Sequence, residues 1–299
     1  MHAGEVDTSP GLVRRLLAAQ FPEWADLPIT PVASAGTDNA LYRLGDGLAV
    51  RLPRIDWAAG QAEKDARWLL RLAPQLPLAV PVPLAVGEPW EGFPWRWSVC
   101  PWLEGENSPL ERLAGPVRAA HDLAAFLLAL QRIDPAGGPP AADHNIRGLP
   151  LAARDRDTRT AIAELDGLYD PVELTSVWET ALDAPDWERP PVWIHGDMLP
   201  GNLLFQNGRL TGVIDFGGLA VGDPACDLMI AWSLFSGESR SAFRAAMAVD
   251  DGTWRRGGGH ALSQAVMFIP YYLETNPVGV GYARRALDEI LAERRIGKA

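Results

Sequence analysis

The feature that most restricts this chain's fold lies between Val192 and Gly217. A short apolar run, Val192-Trp-Ile194, passes directly into the loop His195-Gly-Asp-Met-Leu-Pro-Gly-Asn202. A β-type run from Leu203 to Phe216 follows, broken at Asn207-Gly208. Asn-Gly between apolar runs is a strong signal for a two-residue hairpin turn. A buried strand, a loop and a hairpin in this order let three oxygen-bearing side chains converge. Asp197 sits just after the strand, Asn202 five residues later, and Asp215 at the end of the hairpin, where Gly217 frees the backbone.

The rest of the chain sets the frame. Gly11 to Phe21 has the apolar spacing of a short amphipathic helix. Ala40 to Gly45 and Leu48 to Pro53 are β-type runs with a two-residue hairpin signal, Asp46-Gly47, between them. Ala58 to Leu72 is helical in pattern, and Trp95 to Val99 reads as a further strand. Beyond the linker Leu103 to Pro109 the pattern turns helical, over 116–133, 154–168, 171–184, 223–235, 259–274 and 283–292. A β-rich first third before a helix-rich remainder indicates an α+β fold in two lobes, residues 1–103 and 104–299.

Composition narrows the partners. Lys and Arg number 27 against 38 Asp and Glu, a net charge of −11 that repels nucleic acid and anionic membrane and suits a cationic partner. Two scattered cysteines, Cys100 and Cys226, support neither a disulfide framework nor a metal cluster, and a reduced cytoplasmic setting is expected. Met1 to Pro10 is polar, so no signal peptide is expected, and no apolar run is long enough to span a bilayer.

Phosphoryl transfer needs a carboxylate to take the proton of the attacking hydroxyl. It also needs an amide and a second carboxylate to hold metal ions. Magnesium takes oxygen ligands from one or two carboxylates and from substrate phosphates. His-x-Asp-x-x-x-x-Asn followed by Asp-Phe-Gly matches the kinase signature.

With His195-Gly-Asp197, Gly201-Asn202, Asp215-Phe-Gly217 and Asp223-Pro-Ala-Cys-Asp227-Leu, the chain resembles the aminoglycoside phosphotransferase family, relatives of choline kinases and protein kinases. The resemblance extends over nearly the whole chain. It implies a protein-kinase-like fold with a small β-rich N-lobe that binds nucleotide and a larger helical C-lobe that binds the acceptor. It implies Asp197 as catalytic base, Asn202 and Asp215 as Mg2+ ligands, and His195 and Asp227 as supports of the catalytic loop. Arg51 falls on the strand position of the kinase lysine, and Asp65 is expected as its helix partner in preference to Glu63, two residues away. No Gly-x-Gly-x-x-Gly is present, so Ser34, Gly36, Thr37 and Asn39 are expected to form a shorter phosphate loop. Adenine is expected against the backbone of Pro101 and Leu103, with Cys100 behind it. The nucleotide is expected to be ATP, with GTP as the variant.

The acceptor is the least constrained part. A small hydroxyl compound is expected, in first place an aminoglycoside-type antibiotic. A macrolide, or a metabolite such as choline, homoserine or a sugar, comes second, and a non-catalytic nucleotide-binding protein third. Candidate wall residues are Trp232, Tyr271 and Glu274, with Asp143 to Arg147 and Asp157. The twelve tryptophans read mostly as core. The chain is expected to act as a monomer or a homodimer.

Overall fold

The computed structural model describes residues 6–32, 38–90, 92–107, 115–141 and 146–296. Ser34, Gly36, Thr37 and Asp143 lie outside them. Helix α1, Pro10–Gln20, starts with proline in its first turn, and the Ser9 hydroxyl accepts the Leu12 N–H at 3.4 Å. A five-stranded antiparallel sheet follows in the order β1-β2-β3-β5-β4. Its strands are β1 Ile29–Pro31, β2 Asn39–Leu44, β3 Leu48–Pro53, β4 Ala85–Gly87 and β5 Trp97–Pro101, with helix α2, Gln61–Leu72, inserted after β3. Ala40, Tyr42 and Leu44 alternate inward along β2 and meet Leu12, Val13, Leu16 and Leu17 of α1. The β2–β3 turn differs from expectation. Leu44 pairs with Leu48, so the loop has three residues, and Gly45, at φ 57°, takes the left-handed position.

The remainder is mainly helical: α3 Pro116–Arg132, α4 Asp155–Glu164, α5 Pro171–Leu182, α6 Ile230–Ser233, α7 Gly237–Met247, α8 Asp251–Tyr272 and α9 Pro277–Ile296. Strand β6, Val192–Ile194, pairs antiparallel with β9, Ala220–Gly222. Strands β7, Leu203–Gln206, and β8, Arg209–Val213, form the expected hairpin, with Asn207 at φ 52° and Gly208 at φ 74° in its two-residue turn. Trp178, Trp193, Phe216, Phe235 and Leu262 lie in one large core, which also takes in Trp68, Leu69 and Leu72 from α2.

Several helical expectations shift; α9 runs over Pro277–Ile296 instead of 283–292, and α4 ends at Glu164 instead of 168. Residues 223–229 wind mostly as a 3-10 turn, Pro224–Met229, before α6 begins. Helix α8 begins at Asp251 instead of 259, and the Asp250 carboxylate accepts the Thr253 N–H at 2.7 Å. Gly257, Gly258 and Gly259 lie inside this helix, because packing outweighs their poor propensity. A Cβ at Gly257 would come within 2.7 Å of Leu228 Cβ, and one at Gly259 within 2.7 Å of Ala181 Cβ. Helix α7 was not legible in the apolar pattern. Ser236 and Ser239 build a capping box at its start.

The sheet and the helical region meet on the β7–β8 hairpin. Ala79 N–H donates to Thr211 O at 3.1 Å, and Val213 N–H donates to Ala79 O at 2.9 Å. Asn107 Nδ2 donates to Gly201 O and Leu203 O, each at 2.8 Å. Among the described residues no helix is long and apolar enough to cross a membrane.

Candidate active site

Strand β6 delivers a loop whose conformation is set almost wholly by hydrogen bonds. The buried Asp227 carboxylate accepts the N–H groups of His195 and Gly196, each at 2.8 Å. Burial raises the pKa of Asp227, while the nearby His195 and the two N–H bonds act against that rise. His195 is fully buried. Its Nδ1 accepts the Asp197 N–H at 3.2 Å, and its Nε2 lies 3.1 Å from Ile214 O. A backbone N–H only donates and a carbonyl only accepts, so the ring is the neutral tautomer with its proton on Nε2. His195 therefore ties the Asp197 loop to the strand end that leads into Asp215.

Asn202 and Asp215 stand at the two feet of the β7–β8 hairpin. Ile214 N–H donates to Asn202 O at 2.9 Å, which locks the feet together. Asn202 Nδ2 is spent on Asp197, donating to its backbone oxygen at 2.8 Å and to Oδ2 at 3.2 Å. That leaves Asn202 Oδ1 as the amide's remaining acceptor atom. Asp215 has φ 62° and ψ 70°, left-handed for a residue with a Cβ. Such backbone persists where the surroundings enforce it and is concentrated at functional sites. Its side chain is 40% exposed.

The sheet side reaches the same place. Arg51 Nη1 lies 3.0 Å from Asp65 Oδ2, and its Nη2 lies 3.6 Å from Asp215 Oδ1. Asp65 is buried and Glu63 instead pairs with Arg96, so the helix partner of Arg51 is the expected one. Burial works against the Arg51 charge, but Asp65 and Asp215 more than restore it, and its pKa rises. Burial also raises the pKa of Asp65, opposed by Arg51. Asp65 Oδ1 is buried without a partner among the described residues. A small pocket here is lined by Asn39, Arg51, Gln61, Asp65 and Ser98.

Several of these contacts were invisible in the sequence. Gln61 Nε2 donates to Asp215 Oδ1 at 3.2 Å, and its Oε1 accepts from Asn39 Nδ2 at 2.7 Å. Gln61 thus links Asn39, the start of α2 and Asp215. Lys64 Nζ donates to Gly217 O. Arg147, named only as a wall residue, donates directly to Asp197 Oδ1 and, at 2.9 Å, to Gly196 O. The signature names residues on one loop and one hairpin, and nothing local to positions 61, 64 or 147 marks them as partners of it.

Pro101 ends β5, and the N–H of Trp102 donates to Gly47 O at 2.8 Å. Cys100 is buried behind this segment, and burial raises its thiol pKa. The expected acceptor wall needs one correction. Trp232 is 2% exposed, its Nε1 donates to Glu293 Oε2 at 2.6 Å, and its ring packs 4.7 Å from Trp254. It is a core residue. Tyr271 is exposed near the end of α8, and Glu274 is exposed just beyond that helix.

The residues present fit a magnesium site of the kind that substrate phosphates complete. Asn202 Oδ1 and the exposed Asp215 carboxylate are hard oxygen donors on adjoining segments. Among the described residues no group of three or more His, Cys, Asp or Glu converges to enclose a metal on its own.

The phosphotransferase enzyme family matches residues 29–260. The aminoglycoside 3'-phosphotransferases of Salmonella typhimurium and Escherichia coli are each 28% identical over 111 residues, 37% of this chain. The aligned part spans 41% of the length of those relatives. Among solved structures, the GDP complex of aminoglycoside 2'-phosphotransferase-IIIa superposes with a TM-score of 0.73 at 20% identity, over 96% of this chain and 100% of that one. Macrolide 2'-phosphotransferase MphH from Brachybacterium faecium superposes at 0.61 with 23% identity, over 93% and 97%. The fold is thus the two-lobed kinase-like fold of these enzymes, and the chain belongs to the phosphotransferase enzyme family.

Proposed function

We propose that this protein transfers the γ-phosphoryl group of ATP to a hydroxyl of a small molecule, with aminoglycoside-type compounds as the first acceptor class. One observation carries the reading: Asn202 bonds Asp197 directly and is tied through the Ile214 N–H to the strand end that carries Asp215, whose carboxylate lies beside the Arg51–Asp65 pair. In this reading Asp197 accepts the proton of the attacking hydroxyl and orients its oxygen toward the phosphorus. Arg51, kept charged and aimed by Asp65, contacts phosphate oxygens, a task suited to its fixed fork of donors. Asn202 and Asp215 would hold magnesium, which supplies neutralisation of charge on the phosphates. Asn39 would sit over the phosphates, and the Pro101–Leu103 backbone would receive the base. Proline lacks an N–H, so residue 101 offers adenine only its carbonyl. The relatives named for aminoglycosides support the acceptor class, and the macrolide enzyme among the structural neighbours makes macrolides the second class to test.

The reading is tested in two steps. ATP with magnesium, at about a hundredfold excess over Kd, should stabilise the fold by about 2.7 kcal/mol and raise Tm. An unchanged Tm at millimolar ATP would remove the nucleotide from the proposal. ADP release over a panel of aminoglycosides, macrolides, choline and sugars then identifies the acceptor class, and turnover of a metabolite alone would remove antibiotics. In the same assay Asp65→Ala should raise the Kd for ATP about tenfold, because an unpaired Arg51 loses its aim. ATP affinity equal to that of the native protein would show that the pair has no role in binding.

A further inference from the structure

Arg147 belongs to neither the catalytic signature nor the nucleotide side, yet it touches the atom on which the proposed chemistry turns. Its Nη1 donates to Asp197 Oδ1 and to Gly196 O, the latter at 2.9 Å. Asn202 Nδ2 holds the other carboxylate oxygen, Oδ2, at 3.2 Å. The carboxylate is gripped by a donor on each oxygen, so its plane cannot rotate without breaking one of them. Each oxygen has two acceptor positions, and one contact apiece leaves room for a substrate hydroxyl.

The segment carrying Arg147 is anchored, not merely nearby. Arg147 lies in the 3-10 turn Ile146–Gly148. Gly148 O accepts the Asp223 N–H at 2.9 Å. A Cβ at Gly148 would come within 2.5 Å of Ile194 Cδ1 and 2.8 Å of Ala141 Cβ, so the turn is seated against β6 itself. Asp223, in turn, is held by Arg256 Nε at 2.8 Å in a buried pair. The Arg147–Asp197 pair, by contrast, is open to solvent on one side, with side chains 23% and 24% exposed. The bracing of this region falls to the more deeply buried Asp223–Arg256 and Asp227 contacts.

We propose that Arg147 is a positioning residue for phosphoryl transfer, acting through Asp197 by fixing the orientation of its carboxylate. The proposal rests on the function read above for Asp197. The experiment is steady-state hydrolysis of ATP with magnesium, in which water is the acceptor, so no acceptor need be known. Arg147→Met should lower kcat about 10–100-fold, since small misplacements of a reacting group cost that much. KM for ATP should stay within about threefold, because Arg147 is no part of the Arg51–Asp65 side, and Tm within about 2 °C, because the buried Asp223–Arg256 and Asp227 contacts remain. Arg147→Lys should recover part of the loss. In an Asp197→Asn background, Arg147→Met should have almost no further effect, the non-additivity of two residues acting as one unit. An unchanged kcat in Arg147→Met, or a loss that adds fully to that of Asp197→Asn, overturns the proposal. If the native protein turns over ATP and Asp197→Asn does not, while Arg147→Met is fully active, only this inference fails. If the native protein hydrolyses no ATP and binds none, the functional reading fails and this inference with it.

Discussion

Asp197→Asn is expected to lower kcat for ADP release by about 10³-fold, with ATP affinity within about threefold of the native protein. General base catalysis contributes on the order of 10²–10⁴ to such reactions. The substitution is close to isosteric. It preserves an oxygen for Arg147 Nη1, so the turn at 146–148 has no reason to move. It removes the group able to take up the acceptor's proton. Arg51, Asp65 and Asp215, which face the phosphates in the proposed arrangement, are untouched, which is why binding and turnover should separate. ADP release measured alongside ATP titration calorimetry checks both halves. Turnover at the native level would reassign the base, and a loss of ATP binding would mean that Asp197 shapes the nucleotide site.

Asp227→Ala should instead be a stability mutant with lost activity, destabilising the protein by about 3 kcal/mol. The Asp227 carboxylate is the partner of two buried N–H groups, those of His195 and Gly196. Stranding a buried donor costs about 1–3 kcal/mol, and two are stranded at once. The loss should appear as a fall in Tm on the order of 5 °C. Asp227→Asn should be milder, because its amide keeps one oxygen for one of the N–H groups. Equal melting of Asp227→Ala and the native protein would show that the loop holds its shape without this brace.

The contrast between the two residues explains what the sequence disclosed. The order His195, Asp197, Asn202, Asp215 is legible because strand, loop and hairpin are local structures, and local spacing decides which side chains can meet. The β7–β8 turn was legible because Asn207-Gly208 suits two consecutive left-handed positions. Asp46-Gly47 misled by one residue, since Gly45 before it took the left-handed position and lengthened the loop. Arg147 reaches Asp197 across 50 positions and Gln61 reaches Asp215 across 154, distances over which spacing carries no information. Trp232 shows the same limit from the other side. A tryptophan near the signature suggested a substrate wall, and only the placement of Glu293 and Trp254 shows why it is buried.

The three glycines within α8 carry one more consequence. Each costs a helix about 1 kcal/mol relative to alanine, so residues 257–259 would hold a helix poorly in isolation. They are helical here because the bare backbone nests against Leu228 and Ala181. Leu228 adjoins Asp227, whose carboxylate shapes the loop at 195–196. Helix and loop therefore share one cooperative unit, in which a local opening of either exposes the other. The order of the loop at 195–202 is borrowed from a helix that is itself stable only while docked.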